Sequence, residues 1–282
     1  MRAVHSVALH ADGQRAVTGS YETVRVWDLD TGACLRTLEG HTDTVRSVAL
    51  HADGRRAVTG SQDGSVRVWD LDTGACLRTL QGHTSTVHSV ALHADGRRAV
   101  TGSGDKTVRV WGLDTGACLR TLEGHTMGVT SVAPHPDGRR LASGSVDSTV
   151  RVWDLDTGAC LKTLEGHAGT VTSVVLHPDG WRLVSRSSDN TVRVWDLDTG
   201  ASLRMLEGHT EEITSVALHA DGRRAVTGSH DEMVRVWDLD TGTCLRTLEG
   251  HVLAVLSVAL HADGRRAVTG SNDETVRVWD LD

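Results

Sequence analysis

Residues 31–72 read TGACLRTLEGHTDTVRSVALHADGRRAVTGSQDGSVRVWDLD. Four extended runs lie in this stretch: CLRTLEG (34–40), VRSVALH (45–51), RAVTGS (56–61) and VRVWD (66–70). A Gly-His corner separates the first two, ADG the second and third, QDGS the third and fourth, and LDTG closes the unit. Short runs rich in β-branched side chains and punctuated by Asp-Gly turns are strand and hairpin signals. No part of the stretch sustains a 3.6-residue period, so helices are not expected.

The stretch is one of seven copies. Trp27, Trp69, Trp111, Trp153, Trp195, Trp237 and Trp279 stand 42 residues apart. The 282 residues fall twelve short of seven full periods. Phe is absent, Tyr occurs once and aromatic residues make up 3% of the chain, so the core must be assembled from many small units rich in Val, Leu and Ala. A four-stranded antiparallel sheet cannot bury both its faces alone. Seven such sheets packed face to face around an axis can, which accounts for both the period and the apolar residues on both strand faces.

In this pattern the chain resembles the WD-repeat β-propellers along its whole length. The motifs that carry the resemblance are Gly-His at His41, His83, His125, His167, His209 and His251, and Trp-Asp at six of the seven tryptophan positions, with Gly112 in place of Asp in the third copy. The resemblance implies an all-β, seven-bladed propeller of four-stranded antiparallel blades. It implies one domain over 1–282, with blades at about 1–40, 41–82, 83–124, 125–166, 167–208, 209–250 and 251–282. It also implies a structural network in each blade, formed by the Gly-His histidine, a turn aspartate (Asp63, Asp105, Asp147, Asp189, Asp231 and Asp273), a Ser or Thr of the second strand, and the tryptophan. In the third blade these are His83, Asp105, Trp111 and either Thr101 or Ser103, which are two apart, share a strand face and are not distinguished by sequence. A buried indole N–H, an imidazole and a hydroxyl all need partners, and a chain ending on a carboxylate satisfies them. Pro134 lacks a ladder donor and needs an edge strand. In the family's blade order its run lines the central channel and is an edge.

His, Asp and Ser recurring together invite a catalytic-triad reading. A nucleophile does not need six copies, whereas a satisfied structural network does. A second ring of histidines, His10, His51, His93, His135, His177, His219 and His261, opens each HADG or HPDG turn. They lie one per blade on separate hairpins, whereas metal ligands converge to about 2 Å from one ion, so no metal is expected and these are read as solvated turn residues. Cys34, Cys76, Cys118, Cys160 and Cys244 occupy one slot of the repeat, with Ser202 in the sixth copy. An odd count with a Ser replacement argues against a disulfide framework, and no CxxC pair offers a zinc site. Free, small, packing cysteines in a reducing compartment are expected, and with no secretory signal in MRAVHSVALH the protein is expected to be cytoplasmic. A net charge of −8 argues against a nucleic-acid partner, and no apolar run approaches the ~20 residues that span a bilayer. No cofactor is expected.

The first and last copies are incomplete. Met1 aligns with Thr42, so eleven residues corresponding to 31–41 have no counterpart, and Tyr21-Glu22-Thr23 is one residue shorter than the turn 62–65. The sequence given ends just after the Trp-Asp of the seventh copy. The last blade is therefore expected to lack its outer strand, giving 27 strands, and Val276 and Val278 are expected on an open edge able to recruit another strand. The simpler account is that the chain is a stretch of a longer one.

Comparing the copies with one another points to a surface. The HADGRR and LDTG turns, both on the face the family calls the bottom, scarcely change. Three slots per copy vary most: Ala3, Thr44, Thr86, Gly128, Thr170, Glu212 and Ala254; then His5, Arg46, His88, Thr130, Thr172, Thr214 and Leu256; then Tyr21, Gln62, Gly104, Val146, Ser188, His230 and Asn272. The resemblance places these around the channel mouth on the top face, where family members commonly meet partners. The expected anchors are Arg46, Tyr21, His88, His5, His230 and Leu256, with Gln62, Glu212 and Asn272 beside them, because Arg and aromatic side chains carry contact energy disproportionately. Blades four and five offer mostly Thr, Ser, Gly and Val there, so the patch is lopsided and spans the seam of the ring.

The leading reading is a non-enzymatic platform that binds a protein or peptide. The resemblance suggests a bacterial sensor or scaffold domain of the kind attached to signalling ATPases or kinases, although the chain has no GxxxxGK phosphate loop of its own. Trp-Asp-Leu-Asp in place of Trp-Asp-x-Arg removes a ubiquitin-ligase adaptor reading. The alternatives are a structural or self-assembling array of duplicated repeats without a partner of its own, engineered or cut from a longer chain, and a channel-sited enzyme. Glu211, Glu212 and His230 form the irregular polar cluster on which that enzyme would depend.

Overall fold

The computed structural model describes residues 3–10, 13–261 and 264–281. These residues form strands and turns and no helix. By blade the strands run as follows. Blade one has β1 (Ser6–Leu9), β2 (Arg15–Gly19), β3 (Tyr21–Asp28) and the start of β4 (Cys34–Leu50); blade two has the rest of β4, β5 (Arg56–Ser61), β6 (Val66–Asp70) and β7 (Cys76–Leu80). Blade three has β8 (Val87–Leu92), β9 (Arg98–Ser103), β10 (Val108–Gly112) and β11 (Cys118–Leu122); blade four has β12 (Val129–Pro134), β13 (Arg140–Ser145), β14 (Val150–Asp154) and β15 (Cys160–Leu164). Blade five has β16 (Val171–Leu176), β17 (Arg182–Ser187), β18 (Val192–Asp196) and β19 (Ser202–Leu206); blade six has β20 (Ile213–Leu218), β21 (Arg224–Ser229), β22 (Val234–Asp238) and β23 (Cys244–Leu248). Blade seven has β24 (Val255–Leu260), β25 (Arg266–Ser271) and β26 (Val276–Asp280). Within each sheet every strand pairs antiparallel with its sequence neighbour, the meander expected from two-residue and Asp-Gly turns. This is the all-β class of the seven-bladed propeller, with a three-stranded last blade among the described residues.

The strand count is 26 rather than 27 among the described residues, and the shortened turn explains the difference. With one residue missing between β2 and β3, Tyr21 reaches back to pair with Thr44. The ladder then runs past the Gly40-His41 corner, and the outer strand of blade one continues into the inner strand of blade two as the 17-residue β4. Elsewhere the corner interrupts the ladder, and the blades are separate sheets.

The chain divides into two compact units, Met1–Asp147 with Arg151–Leu161, and Ser148–Val150 with Lys162–Asp282. In the first, each pair of neighbouring blades closes over a small apolar cluster. Val58, Val66, Val68 and Leu80 of blade two meet Val87, Ala99, Trp111 and Leu113 of blade three. Gly60 permits that approach, since a Cβ there would lie 2.5 Å from Val87 Cγ1. The second unit repeats the arrangement with Val184, Val192, Val194 and Leu206 against Ile213, Ala225, Trp237 and Leu239. Pro134 ends β12, which is an edge of its sheet, so its missing amide takes nothing from the ladder.

The cysteines differ from expectation. All five are free, but exposed rather than packed. Cys76, Cys118, Cys160 and Cys244 each open an outer strand whose first four residues face solvent or nearly so and whose final leucine alone is buried, and Cys34 opens the long β4 with four exposed residues before Leu38. Cys34 Sγ donates to the carbonyl of Arg36 at 3.4 Å, and Cys76 repeats the bond to Arg78 at 3.3 Å.

Candidate interaction surface

The polar network fixes the end of each sheet that carries the variable slots. In blade two Trp69 Nε1 donates to Thr59 Oγ1 at 2.8 Å, the Thr59 hydroxyl donates to His41 Nε2 at 2.8 Å, and His41 Nδ1 donates to Asp63 at 2.9 Å. Asp63 also accepts the Thr42 amide, the Ser65 amide and the Ser65 hydroxyl. The same links, all between 2.7 and 2.9 Å, join Trp111, Thr101, His83 and Asp105; Trp153, Ser143, His125 and Asp147; Trp195, Ser185, His167 and Asp189; Trp237, Thr227, His209 and Asp231; and Trp279, Thr269, His251 and Asp273. Thr101 rather than Ser103 therefore joins the tryptophan. Ser103 has a separate role, donating to the Ser85 carbonyl and accepting the Asp105 amide.

Every donor in this chain has one acceptor, which fixes a neutral imidazole in a single tautomer. Burial lowers the pKa of His41, His83, His125, His167 and His209, outweighing the neighbouring carboxylate. Burial alone would raise the Asp63 carboxyl, but the Ser65 hydroxyl and the amides of Thr42 and Ser65 overcome it and hold it at about 2. The Thr59 hydroxyl points at an imidazole as a nucleophile would, yet Thr59 is wholly buried and its oxygen already receives the indole N–H. A substrate cannot reach it, and the arrangement acts as a tie between strands.

The second histidine ring departs from its sequence reading. His93, His135, His177 and His219 are buried rather than solvated. His51 Nε2 donates to the Gly96 carbonyl of the next blade at 2.7 Å, His93 does the same to Gly138 at 2.8 Å, and His177 bonds Gly222. The other ring nitrogen of His51 accepts the Asp53 amide. A turn carbonyl from the next blade sits over the ring and excludes water, so these residues clamp blade to blade. Among the described residues no group of three or more His, Cys, Asp or Glu side chains could hold a metal ion.

The first and third variable slots meet at the same end of each sheet. The third-slot amide donates to the first-slot carbonyl in Gln62–Thr44, Gly104–Thr86, Val146–Gly128, Ser188–Thr170, His230–Glu212 and Asn272–Ala254, at 2.8–2.9 Å. The second slot separates the blades into two kinds. Thr130, Thr172 and Thr214 are half-buried and bond the second-strand carbonyls of Gly144, Arg186 and Gly228. His5, Arg46, His88 and Leu256 are exposed, as are Tyr21, Gln62, His230 and Asn272, while Glu212 is half-buried. In the first unit Arg46 donates to Gln62 Oε1 at 3.0 Å. The His88 ring lies against Gly104, and partial burial together with the Arg46 charge lowers its pKa. In the second unit His230 and Glu212 stand together through their backbone bond, and Glu211 supplies a carbonyl to Ser229.

Two residues escaped the sequence comparison, and both lie in blade five. Arg186 stands where the other copies have glycine, donates to the Ile213 carbonyl at 2.6 Å and feels the Glu212 charge. Trp181, the tryptophan outside the 42-residue series, replaces Arg in the turn between β16 and β17 and is 43% exposed. The Arg182 guanidinium lies 4.8 Å from its ring centroid and is held by Asp179 and Asp240. Individuality is thus not confined to one end of the sheets: this aromatic side chain marks the otherwise repetitive turn end. The off-register spacing of Trp181 was its signal.

Repeated antiparallel sheets, each tied by one Trp–Thr/Ser–His–Asp chain, define a β-propeller protein built of sequence repeats. The family model described as the WDR3 first beta-propeller domain matches residues 106–281, more than half of the chain, and the WD domain, G-beta repeat matches residues 2–28, 32–70 and 74–112. The chain belongs to the WD-repeat β-propeller family. No curated protein matches it. Propellers of this family generally mediate protein–protein interaction or scaffolding and are typically non-enzymatic. No helix among the described residues is long and apolar enough to cross a membrane.

Proposed function

We propose that the chain acts as one non-enzymatic domain whose variable sheet ends bind a protein or peptide partner in the cytoplasm. The observation that carries this reading is the pairing of the first and third slots at one end of six sheets, where near-identical copies diverge into Arg46, Gln62 and His88 in one unit and Glu212, His230, Leu256 and Asn272 in the other. Tyr21 and Arg46 are the anchors in the first unit, because an exposed aromatic and an arginine supply large contact area and directional donors. The LDTG turns are exposed too, yet their constancy has a separate cause. Asp70 Oδ1 accepts the Thr73 amide at 2.7 Å and the Thr73 hydroxyl at 2.8 Å, so turn geometry fixes their sequence.

The test is capture of the partner from an extract of the source cell by wild type, by a Tyr21→Ala/Arg46→Ala variant and by Trp181→Ala. The double variant is expected to lose the partner with an unchanged melting temperature, while Trp181→Ala retains it. Equal capture by the double variant rejects the surface, and loss on Trp181→Ala alone moves the site to the opposite end.

A further inference from the structure

The turn that follows each tryptophan strand is built around a carboxylate. Asp28, Asp70, Asp154, Asp196 and Asp238 each place Oδ1 over the turn, where it accepts the amide of the threonine three residues on at 2.7–2.8 Å. Asp70, Asp154, Asp196 and Asp238 also accept the amide two residues on, at 2.9–3.0 Å. The threonine hydroxyl adds a third bond, at 2.7–2.9 Å, to Asp28, Asp70, Asp154 and Asp238. These donors hold the Asp70, Asp154 and Asp238 carboxyls below the ordinary carboxylate range, and the charges of Arg55, Arg139 and Arg223 add to the effect.

Blade three keeps the turn but not the carboxylate. Gly112 donates to the Ala117 carbonyl at 2.9 Å and accepts the Gly116 amide at 2.8 Å, as Asp70 does with Ala75 and Gly74, each at 2.9 Å. The backbone cradle is therefore formed, yet the amides of Asp114 and Thr115 have no acceptor among the described residues. A cleft of about 310 Å³ opens at this point, lined by Gly112, Thr115, Arg97, Arg98 and Leu119. Arg97 occupies the slot of Arg55, Arg139 and Arg223. Arg98 is held by Asp95 at 2.7 Å, whereas the exposed Arg97 has no ion pair among the described residues. Leu119 is also exposed, and its Cδ2 lies 3.6 Å from where a Gly112 Cβ would stand. Against its counterparts, this turn has the same donors and the same cation but one negative charge fewer.

We propose that this cleft binds a carboxylate, the group that the other turns supply from their own chain. One oxygen takes the place of the aspartate Oδ1, accepting the amides of Asp114 and Thr115 and the Thr115 hydroxyl. The second oxygen faces the Arg97 guanidinium, and a short apolar stem lies along Leu119. Bonds from donors to an ionised acceptor are stronger than neutral ones, and a cradle already formed costs little ordering on binding. A short-chain monocarboxylic acid and the acidic side chain of a peptide share this chemistry. The site is independent of the variable sheet ends, and no covalent step is involved.

The probes are sodium propionate and the blocked peptide acetyl-Ala-Glu-Ala-amide, each titrated into the whole protein at constant pH and ionic strength while the amide shifts of Asp114 and Thr115 are followed. Saturating shifts of both amides are expected with at least one probe, and the tighter of the two identifies the source. Propionamide, which has the same shape without the charge, is expected to bind at least about tenfold more weakly. Gly112→Asp fills the cradle from within and is expected to abolish the response. Arg97→Gln, at an exposed position that leaves the fold intact, is expected to weaken it about threefold or more. The Tyr21→Ala/Arg46→Ala variant is expected to respond normally, which separates failure here from failure of the sheet-end surface. Shifts that saturate with neither probe, equal binding of propionamide and propionate, or an undiminished response in Gly112→Asp would each overturn the proposal.

Discussion

The pentapeptide VRVWD forms β22 in blade six and β26 in blade seven, with the same register to the preceding strand and the same tryptophan bond, and the two settings differ in burial and in outer pairing. In β22 both valines are buried and the strand lies between β21 and β23. In β26 the valines are 72% and 64% exposed, and β25 is the only partner among the described residues. Blade one shows the same dependence from the other side. Val45 in blade two is fully buried, while its counterpart Val4 is exposed. A repeat of this kind is stable through what its neighbours contribute, so identical residues are core in the middle of the array and surface at its ends.

The tryptophans offer the sharpest way to break that comparison. Trp111 is buried, bonded to Thr101 and set edge-on to His83 with ring centroids 6.0 Å apart. Trp27 is half-buried and bonded to Thr18 at 2.9 Å, and no Gly-His precedes it in the sequence. Trp111→Ala is expected to cost about 3–5 kcal/mol in urea unfolding, the range for emptying a large core site. Trp27→Ala is expected to cost less than half as much. Equal costs would mean that the end blade is as tightly held as the interior.

A smaller effect sharpens the account of the repeated turns. In blade three Gly112 replaces the aspartate that caps the LDTG turn, and Thr115 Oγ1 lies only 2.8 Å from where a Cβ would stand. The Thr115 hydroxyl accepts the Ala117 amide at 3.2 Å, as the Thr73 hydroxyl accepts the Ala75 amide in blade two, but has no carboxylate to donate to. With a small shift of the Thr115 hydroxyl to make room for the Cβ, Gly112→Asp restores the bonds that Asp70 makes in blade two to the threonine amide and hydroxyl. It is expected to stabilise the protein by about 0.5–1 kcal/mol, the net worth of one hydrogen bond, read as a rise in the urea midpoint. A fall would show that blade three has repacked around glycine.

Period and turn chemistry made the sheets legible. Seven tryptophans in register give the blade count, and the Asp-Gly turns give the hairpins. The network was legible up to the choice between Thr101 and Ser103, which share a face and differ only in which one lies beneath the indole. The buried histidine clamps were not legible, because a residue opening a polar turn reads as solvated until the next blade's carbonyl is seen over it. The fusion in β4 was hidden as well: a one-residue deletion reads as a shorter loop, and only the Tyr21–Thr44 pairing shows that it joins two sheets. Trp181 and Arg186 were overlooked because the copies were compared by their variable slots, while these residues occupy slots that are otherwise constant.

Amide hydrogen exchange on the two VRVWD strands tests the central claim most directly. From their second residue onward the two strands have the same intrinsic exchange rates because their sequences are the same, and the differing residues ahead of them, His230–Met233 and Asn272–Thr275, let peptides from the two blades be told apart. The account predicts that β26 exchanges at least about tenfold faster than β22, because an edge strand opens locally at lower cost. Equal protection in the two strands would contradict it.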